Sequence, residues 1–177
     1  MLSRVFEPEV MDSPAEAAAY DRMDHAEVNR RFVADLRRFA GDDALQAQIL
    51  DVGTGTARIP ALLCQQLANC QVWAIDLSGS MIHLGRQRLD QLGLAPRIGL
   101  ALADGKRLPY AAQQFAATLS NSCLHHVADP VTVLAEAVRV TAAGGVLFFR
   151  DLLRPPDDAA VRRLVRTYAG GEREREQ

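Results

Sequence analysis

From Gln48 onward, short apolar runs without polar interruption take turns with stretches in which apolar residues recur every three or four positions. The first kind suits strands covered on both faces of a parallel sheet, and the second suits amphipathic crossover helices. Strands are expected near residues 48–52, 71–76, 97–102, 115–120 and 145–151. Ile59, Leu62, Leu63 and Leu67 give one intervening helix an apolar face; Met81, Gly85, Leu89 and Leu92 give the next, which Gly93 ends. Asp129 caps a third helix and Pro130 opens it, with Val131, Leu134, Ala137 and Val138 as its inward face. Gly144-Gly145 then releases the chain into GVLFFRD, a strand expected to be covered on both sides. Right-handed crossovers make this pattern an α/β, doubly wound sheet.

Ahead of the first strand, Ser13-Pro14 opens a helical region. Tyr20, Met23, Val28, Phe32, Val33, Leu36 and Phe39 recur there at roughly helical spacing, and Gly41-Asp42-Asp43 closes it. The expected organisation is a single domain over residues 1–177, with a helical N-terminal cap over 1–44 and a cofactor-binding core over 45–177. Tyr20 and His25 are candidates to line a pocket, although packing of the helix on the sheet explains them equally well.

Glycine chemistry interrupts the pattern at Ile49–Pro60, reading ILDVGTGTARIP. Gly53 and Gly55 allow a sharp turn with positive φ and close approach to a ligand, at which the following helix aims free N–H groups. Two acids follow at the ends of the next strands. Asp76 is placed to accept hydrogen bonds from both hydroxyls of a ribose, and Asp104 to accept from an adenine amino group. Gly105, behind Asp104, suits a turn close to the purine.

Composition changes the picture only by exclusion. A net charge of −2 gives no electrostatic footprint for nucleic acid, which is therefore disfavoured as a partner. Cys64, Cys70 and Cys123 have no CxxC spacing, which argues against a disulfide framework or a zinc site and suits a reducing cytoplasm. No run approaches the 18 or so apolar residues of a membrane span, and the start MLSRVFEPEV does not read as a signal peptide.

Together, DVGTG, Asp76, Asp104 with LPY, and SNSCLHHVADP resemble the cofactor motifs of class I S-adenosylmethionine-dependent methyltransferases of the small-molecule type. The nearest likeness is to the quinone-biosynthesis group, and it runs from about Gln48 to Asp151. The resemblance implies a Rossmann-like sheet of strand order 3-2-1-4-5, S-adenosylmethionine as cofactor and a small-molecule acceptor. It implies cofactor contacts at Asp51, which would orient the methionine ammonium group, at Gly53, Thr54, Gly55 and Asp76, and at Leu77 against the adenine. Asp104 and Gly105 would meet the purine, and backbone groups of Asn121 and Ser122 the methionine end. One imidazole of His125-His126 would face the acceptor as a base or orienting group, with His126 the candidate.

Several departures matter. Arg58 stands where a nicotinamide-binding GxGxxG fingerprint needs its third glycine, so an NAD-dependent oxidoreductase ranks third among functions. Ala57 replaces the third glycine of the GxGxG pattern, and Ala116 follows Phe115 where the family often has aspartate. NSCL replaces the NPPY-like grip of DNA amino-methyltransferases. After Asp151, Pro155-Pro156 breaks the chain, Ala159, Val161, Leu164, Val165 and Tyr168 suit one further helix, and Gly170-Gly171 with GEREREQ follows. The family's sixth and seventh strands are thus expected to be missing, in a truncated product or fragment that self-associates through the uncovered edge of GVLFFRD. The second functional reading is a non-catalytic protein that binds S-adenosylmethionine or a partner on the same fold.

Overall fold

The computed structural model describes Val10 and residues 12–168, which fall into two compact units, one up to residue 151 and the other from 152. Three helices come first: α1 (Pro14–Arg22), α2 (Ala26–Ala40) and α3 (Asp42–Leu45). The first unit then alternates β1 (Gln48–Val52), α4 (Arg58–Gln66), β2 (Gln71–Asp76), α5 (Gly79–Leu92) and β3 (Ile98–Leu102). It continues through β4 (Phe115–Asn121), α6 (Pro130–Val140) and β5 (Thr141–Arg150). All neighbouring strands are parallel, in the order β3-β2-β1-β4-β5, as expected.

Period-two alternation divides the core into two layers. Ile49, Val72 and Ala74 face a cluster with Phe32, Val33 and Leu36 of α2 and Leu63 of α4. Leu50, Val52 and Ile75 face the other, with Leu108, Phe115 and Val133. Helix starts follow the capping rules: Ser13 accepts from the Glu16 amide at 3.2 Å, Ser78 from Met81 at 3.1 Å and Asp129 from Val131 at 3.2 Å. Gly93 ends α5 in the left-handed conformation, φ +67°.

Five expectations need correction. The stretch from Pro14 to Ala40 is two helices, α1 and α2, broken at Met23–His25, and the inward face of α2 is Asn29, Phe32, Val33 and Leu36, while Met23, Val28 and Phe39 are exposed. Leu92 of α5 is likewise exposed. Helix α6 buries Val133, Ala137 and Val140, leaving Val131, Leu134 and Val138 outside; with apolar residues all round, periodicity could not choose a face. Strand β5 begins at Thr141 and contains both glycines, because the register jumps from Phe115↔Thr141 to Ala117↔Val146. This bulge takes Gly144 to φ +76°, and a side chain on Gly145 would meet the Ala116 carbonyl at 2.7 Å. Nor is β5 covered on both faces: Val146 and Phe148 pack inward, whereas Leu147 is 40% exposed. Among the described residues β5 is a sheet edge, tied to α2 by an Arg150–Asp35 ion pair and by Arg150 lying 5.5 Å over the Phe32 ring.

The second unit contains α7 (Asp158–Tyr168), the one further helix expected, begun by Asp157 accepting from the Ala160 amide at 2.8 Å. Gly170-Gly171, GEREREQ and the first nine residues lie outside the described residues.

Candidate cofactor site

The glycine loop after β1 is stitched to the end of β2. Gly53 (φ +72°) and Thr54 both donate their amides to the Ile75 carbonyl at 2.9 Å. Gly55 (φ +56°) donates to Asp76 Oδ2 at 2.7 Å, and Ser78 to Asp76 Oδ1 at 2.9 Å. Burial pushes the Asp76 carboxyl up, while the amides of Ser78, Gly55 and Leu77 and the nearby His126 pull it back. Asp76 thus organises the loop, and Leu77 follows it, half-buried. Ala57 adopts φ +59°, so the missing third glycine has a conformational cost of about 1–2 kcal/mol rather than a steric one.

Beside this loop lies a small polar cavity of about 30 Å³, lined among others by Asp51, Thr54, Asn121, Tyr20, Asn29 and Arg58. Asp51 is 2% exposed, and burial pushes its carboxyl up to about 7. The Thr54 side chain beside it pulls the other way, though no hydrogen bond of normal geometry joins the two, and the Asp76 charge adds to the rise. Asp51 Oδ2, Thr54 Oγ1 and Asn121 Oδ1 are all buried without a hydrogen-bond partner. Three orphaned acceptor atoms around one cavity call for a bound donor.

Helix α1 is pinned over the loop through Asp21, which accepts from Thr56 Oγ1 at 2.7 Å, Arg88 Nη2 at 2.5 Å and Arg58 Nη2 at 3.2 Å. Burial raises the Asp21 carboxyl, but Thr56, Arg88 and Arg58 outweigh it and hold the group below its usual range. At the other end of α1, the Ser80 hydroxyl donates to the Asp12 carbonyl at 2.8 Å. Tyr20 lies against Gly55, where an added side chain would come within 3.8 Å of its ring, and His25 stacks on Tyr20 at 4.6 Å. Asp21, Asn29 and Arg58 were not legible as site residues; Asn29 betrays itself only as an amide at helical spacing with Phe32, Val33 and Leu36.

At the end of β4, Asn121 lines the cavity, with its Oδ1 buried. Ser122 takes φ +54° and gives its amide to the Arg150 carbonyl at 2.8 Å. Cys123 then fills the space beside Gly53: an added Cβ there would stand 2.4 Å from its sulfur. Burial, with the Asp76 and Asp151 charges behind it, pushes this thiol up to about 12. Asp151, just beyond β5 and overlooked in the sequence, gathers this loop. Its Oδ2 accepts from the amides of Cys123 at 3.1 Å and Leu124 at 2.6 Å, and its Oδ1 meets His125 Nδ1 at 2.7 Å. The neighbouring imidazoles of His125 and His126 lie 4.0 Å apart, so the carboxylate-oriented histidine is His125, while the candidate His126 acts on Asp76.

Asp104 sits apart from the cavity in its own turn. Oδ1 accepts from the Lys106 amide at 2.8 Å and pairs with Lys106 Nζ at 3.3 Å. What requires glycine at 105 is core packing, since a Cβ there would meet Val52 at 2.9 Å and Val133 at 3.5 Å. The LPY segment is fixed by Glu136, which accepts from the Leu108 amide at 2.8 Å, and by Arg139, which donates to the Tyr110 carbonyl at 2.8 Å.

A family described as "Methyltransferase domain" matches residues 50–149, from β1 almost to the end of β5. The chain belongs to this methyltransferase-domain family. It is 30% identical over 146 residues to a demethylmenaquinone methyltransferase of Bacteroides fragilis, covering 78% of this chain and 58% of that protein. It is 34% identical over 134 residues to a malonyl-[acyl-carrier protein] O-methyltransferase of Halorhodospira halophila, covering 75% and 44%. The chain therefore spans about half the length of these curated relatives. Its fold matches a crystal structure described as a putative methyltransferase from Bacillus halodurans, with a TM-score of 0.64, 23% identity and coverage of 75% of this chain and 55% of that one. Among the described residues no helix is long and apolar enough to cross a membrane, and no group of three His, Cys, Asp or Glu side chains could hold a metal ion.

Proposed function

We propose that this protein binds S-adenosylmethionine and transfers its methyl group to a small-molecule acceptor. The observation that carries the reading is the convergence of Asp51 Oδ2, Thr54 Oγ1 and Asn121 Oδ1, buried and partnerless, on a cavity beside a positive-φ glycine loop. An ammonium group has three donors and no acceptor, so it complements that set. Gly53 and Gly55 would let the backbone approach the cofactor, and Asp76, already fixed by two amides, would turn toward ribose hydroxyls. Leu77 would lie on the adenine edge, with Asp104 and Gly105 forming the outer turn near the purine.

When bound, the cofactor supplies an electrophilic methyl on a sulfonium. The chain's part is to hold the acceptor nucleophile in line with that carbon and to exclude water. On the acceptor side, Asp151 fixes the ring of His125 through Nδ1, which orients the other ring nitrogen as a base or hydrogen-bonding group; His126 would contribute through Asp76. The relatives are named for demethylmenaquinone and for a malonyl-[acyl-carrier protein], neither of them a nucleic acid, consistent with a net charge of −2. Three free thiols suit a reducing cytoplasm.

Calorimetry with S-adenosylhomocysteine tests the cofactor reading, with saturable one-to-one binding expected. Transfer from methyl-labelled cofactor to a demethylated naphthoquinol or a malonyl thioester tests the acceptor class. Absence of binding at millimolar ligand would overturn the proposal, and binding without any transferable label would reduce it to a binding protein.

A further inference from the structure

Cys64 and Cys70 stand six residues apart in the chain, yet both lie in the core layer that faces α2, 3% and 0% exposed. The chain doubles back between them. Leu67 closes α4 by donating its amide to the Leu63 carbonyl at 2.9 Å, Ala68 and Asn69 form an exposed turn, and Cys70 donates its amide to the Leu67 carbonyl at 3.4 Å as β2 begins. The Cys64 sulfur thereby comes within 3.5 Å of the Cys70 carbonyl, and the two thiols interact directly.

Arg97, just ahead of β3, fixes this arrangement. Its Nη1 donates to the Cys64 carbonyl at 2.6 Å, and its Nη2 donates to the Cys70 carbonyl at 2.8 Å and to the Leu67 carbonyl. Every hydrogen bond that Arg97 makes among the described residues goes to a carbonyl, so no carboxylate cancels its charge beside the two sulfurs. A buried cysteine is ordinarily a small apolar filler. These two are polarised against each other: the hydrogen bond from Cys70, with Arg97 behind it, holds the Cys64 thiol below its usual range despite burial, and the same hydrogen bond together with burial raises Cys70. One sulfur is thus disposed to attack and the other to keep its proton.

We infer that Cys64 and Cys70 form an oxidation site for hydrogen peroxide, closing reversibly into a disulfide that joins the end of α4 to the start of β2. The Cys64 thiolate attacks one peroxide oxygen; an S–O bond forms, the O–O bond breaks, and hydroxide leaves. Cys70 then attacks the sulfenic sulfur, so that the S–S bond forms as the S–O bond breaks and the Cys70 proton departs in water. Two thiols are oxidised by two electrons in all, and one peroxide is reduced to two waters. The pair sits at the amino end of β2, whereas Asp76 and the glycine loop lie at its carboxyl end, so this chemistry is separate from that of the cofactor site.

The experiment treats folded protein with hydrogen peroxide at a dose that fully oxidises free glutathione, then quenches it in acid, unfolds, alkylates and digests it with trypsin. Residues 59–86 form one tryptic peptide that contains both cysteines, and residues 108–139 form another that contains Cys123. The first should be about 2 Da lighter and unalkylated, and should take up two alkyl groups when dithiothreitol precedes alkylation. Cys123, whose thiol is pushed up to about 12, should remain alkylated and serves as the internal control. Cys70→Ala should stop at the sulfenic acid of Cys64, captured by dimedone. Full alkylation of the 59–86 peptide after peroxide, oxygen addition to it without the bridge, or a bridge that forms only in protein already unfolded by urea would each overturn the inference.

Discussion

The loops after β1 and β4 use the same device for different ends. Each sits at the carboxyl end of a strand, and each is gathered by an aspartate at the end of the neighbouring strand. Asp76 takes the amides of Gly55 and Ser78; Asp151 takes those of Cys123 and Leu124. The first loop is glycine-rich and backs onto a cavity of unsatisfied acceptors, whereas the second closes on itself and turns its carboxylate toward a histidine. A strand-end acid therefore marks an organised loop, and only its surroundings tell whether that loop binds a ligand.

Replacing each acid by alanine breaks the comparison most directly. Asp76→Ala should lower S-adenosylhomocysteine affinity by about 100-fold, through lost hydrogen bonds and a loosened glycine loop worth roughly 3 kcal/mol together. Asp151→Ala should cost stability of about 1–3 kcal/mol by leaving two amides without acceptors, yet change that affinity less than about threefold. Calorimetry and urea melts on both variants measure this. Similar affinity losses would mean that the two loops form one ligand site.

The asymmetry also explains what the sequence could reveal. Strands β1 to β3 end on residues with chemistry, so Asp51, Asp76 and the glycine turn stood out against apolar runs. Asp151 looked like the end of GVLFFRD because its partners, three residues of the 123–125 segment, become neighbours only through the β4–β5 pairing. Likewise Asn29 shares a cavity with Asp51 only once α2 folds back over the sheet. The β5 bulge hid the strand's start, since two glycines read as punctuation rather than as an irregularity within a strand.

The cavity's titration sharpens the contrast, because Asp51, raised to about 7 by burial, belongs to the first loop. An ammonium ligand needs the carboxylate, so affinity should fall as pH drops below about 7, by up to tenfold per unit. Asp51→Asn should flatten this profile. For the ligand-free protein the sign reverses: the folded pKa exceeds the ordinary 3.8, so Asp51 contributes stability below about pH 4 that is lost as pH rises through about 7. Melts at pH 5 and 8 with the same variant measure that loss, and a pH-independent difference would contradict the assignment.

Asp104 supplies a third strand-end acid for the same comparison, with Lys106 as its partner and more exposure than Asp76. The proposed ligand contact here would be a single hydrogen bond to the purine. Asp104→Ala should weaken S-adenosylhomocysteine by about 3–10-fold, and Asp104→Asn by less because its amide oxygen still accepts. Identical affinities in all three proteins would make Asp104 purely a turn residue.

The smallest effect separates the two loops by strain alone. Each holds one non-glycine residue in the left-handed region, Ala57 at φ +59° and Ser122 at φ +54°. Glycine would remove a conformational cost of about 1–2 kcal/mol at either position, less about 0.4–1 kcal/mol for the greater freedom it adds to the unfolded chain. Ser122 is exposed and loses little else, so Ser122→Gly should raise stability by roughly 0.5–1 kcal/mol. Ala57 is fully buried, with its methyl against Gly85, and deleting that group costs about 0.8 kcal/mol. Ala57→Gly should therefore be close to neutral, and urea denaturation resolves the two cases. A gain at Ala57 as large as that at Ser122 would show that its methyl packs too poorly to offset the strain, and that the alanine in the glycine loop is a defect rather than a balanced exchange.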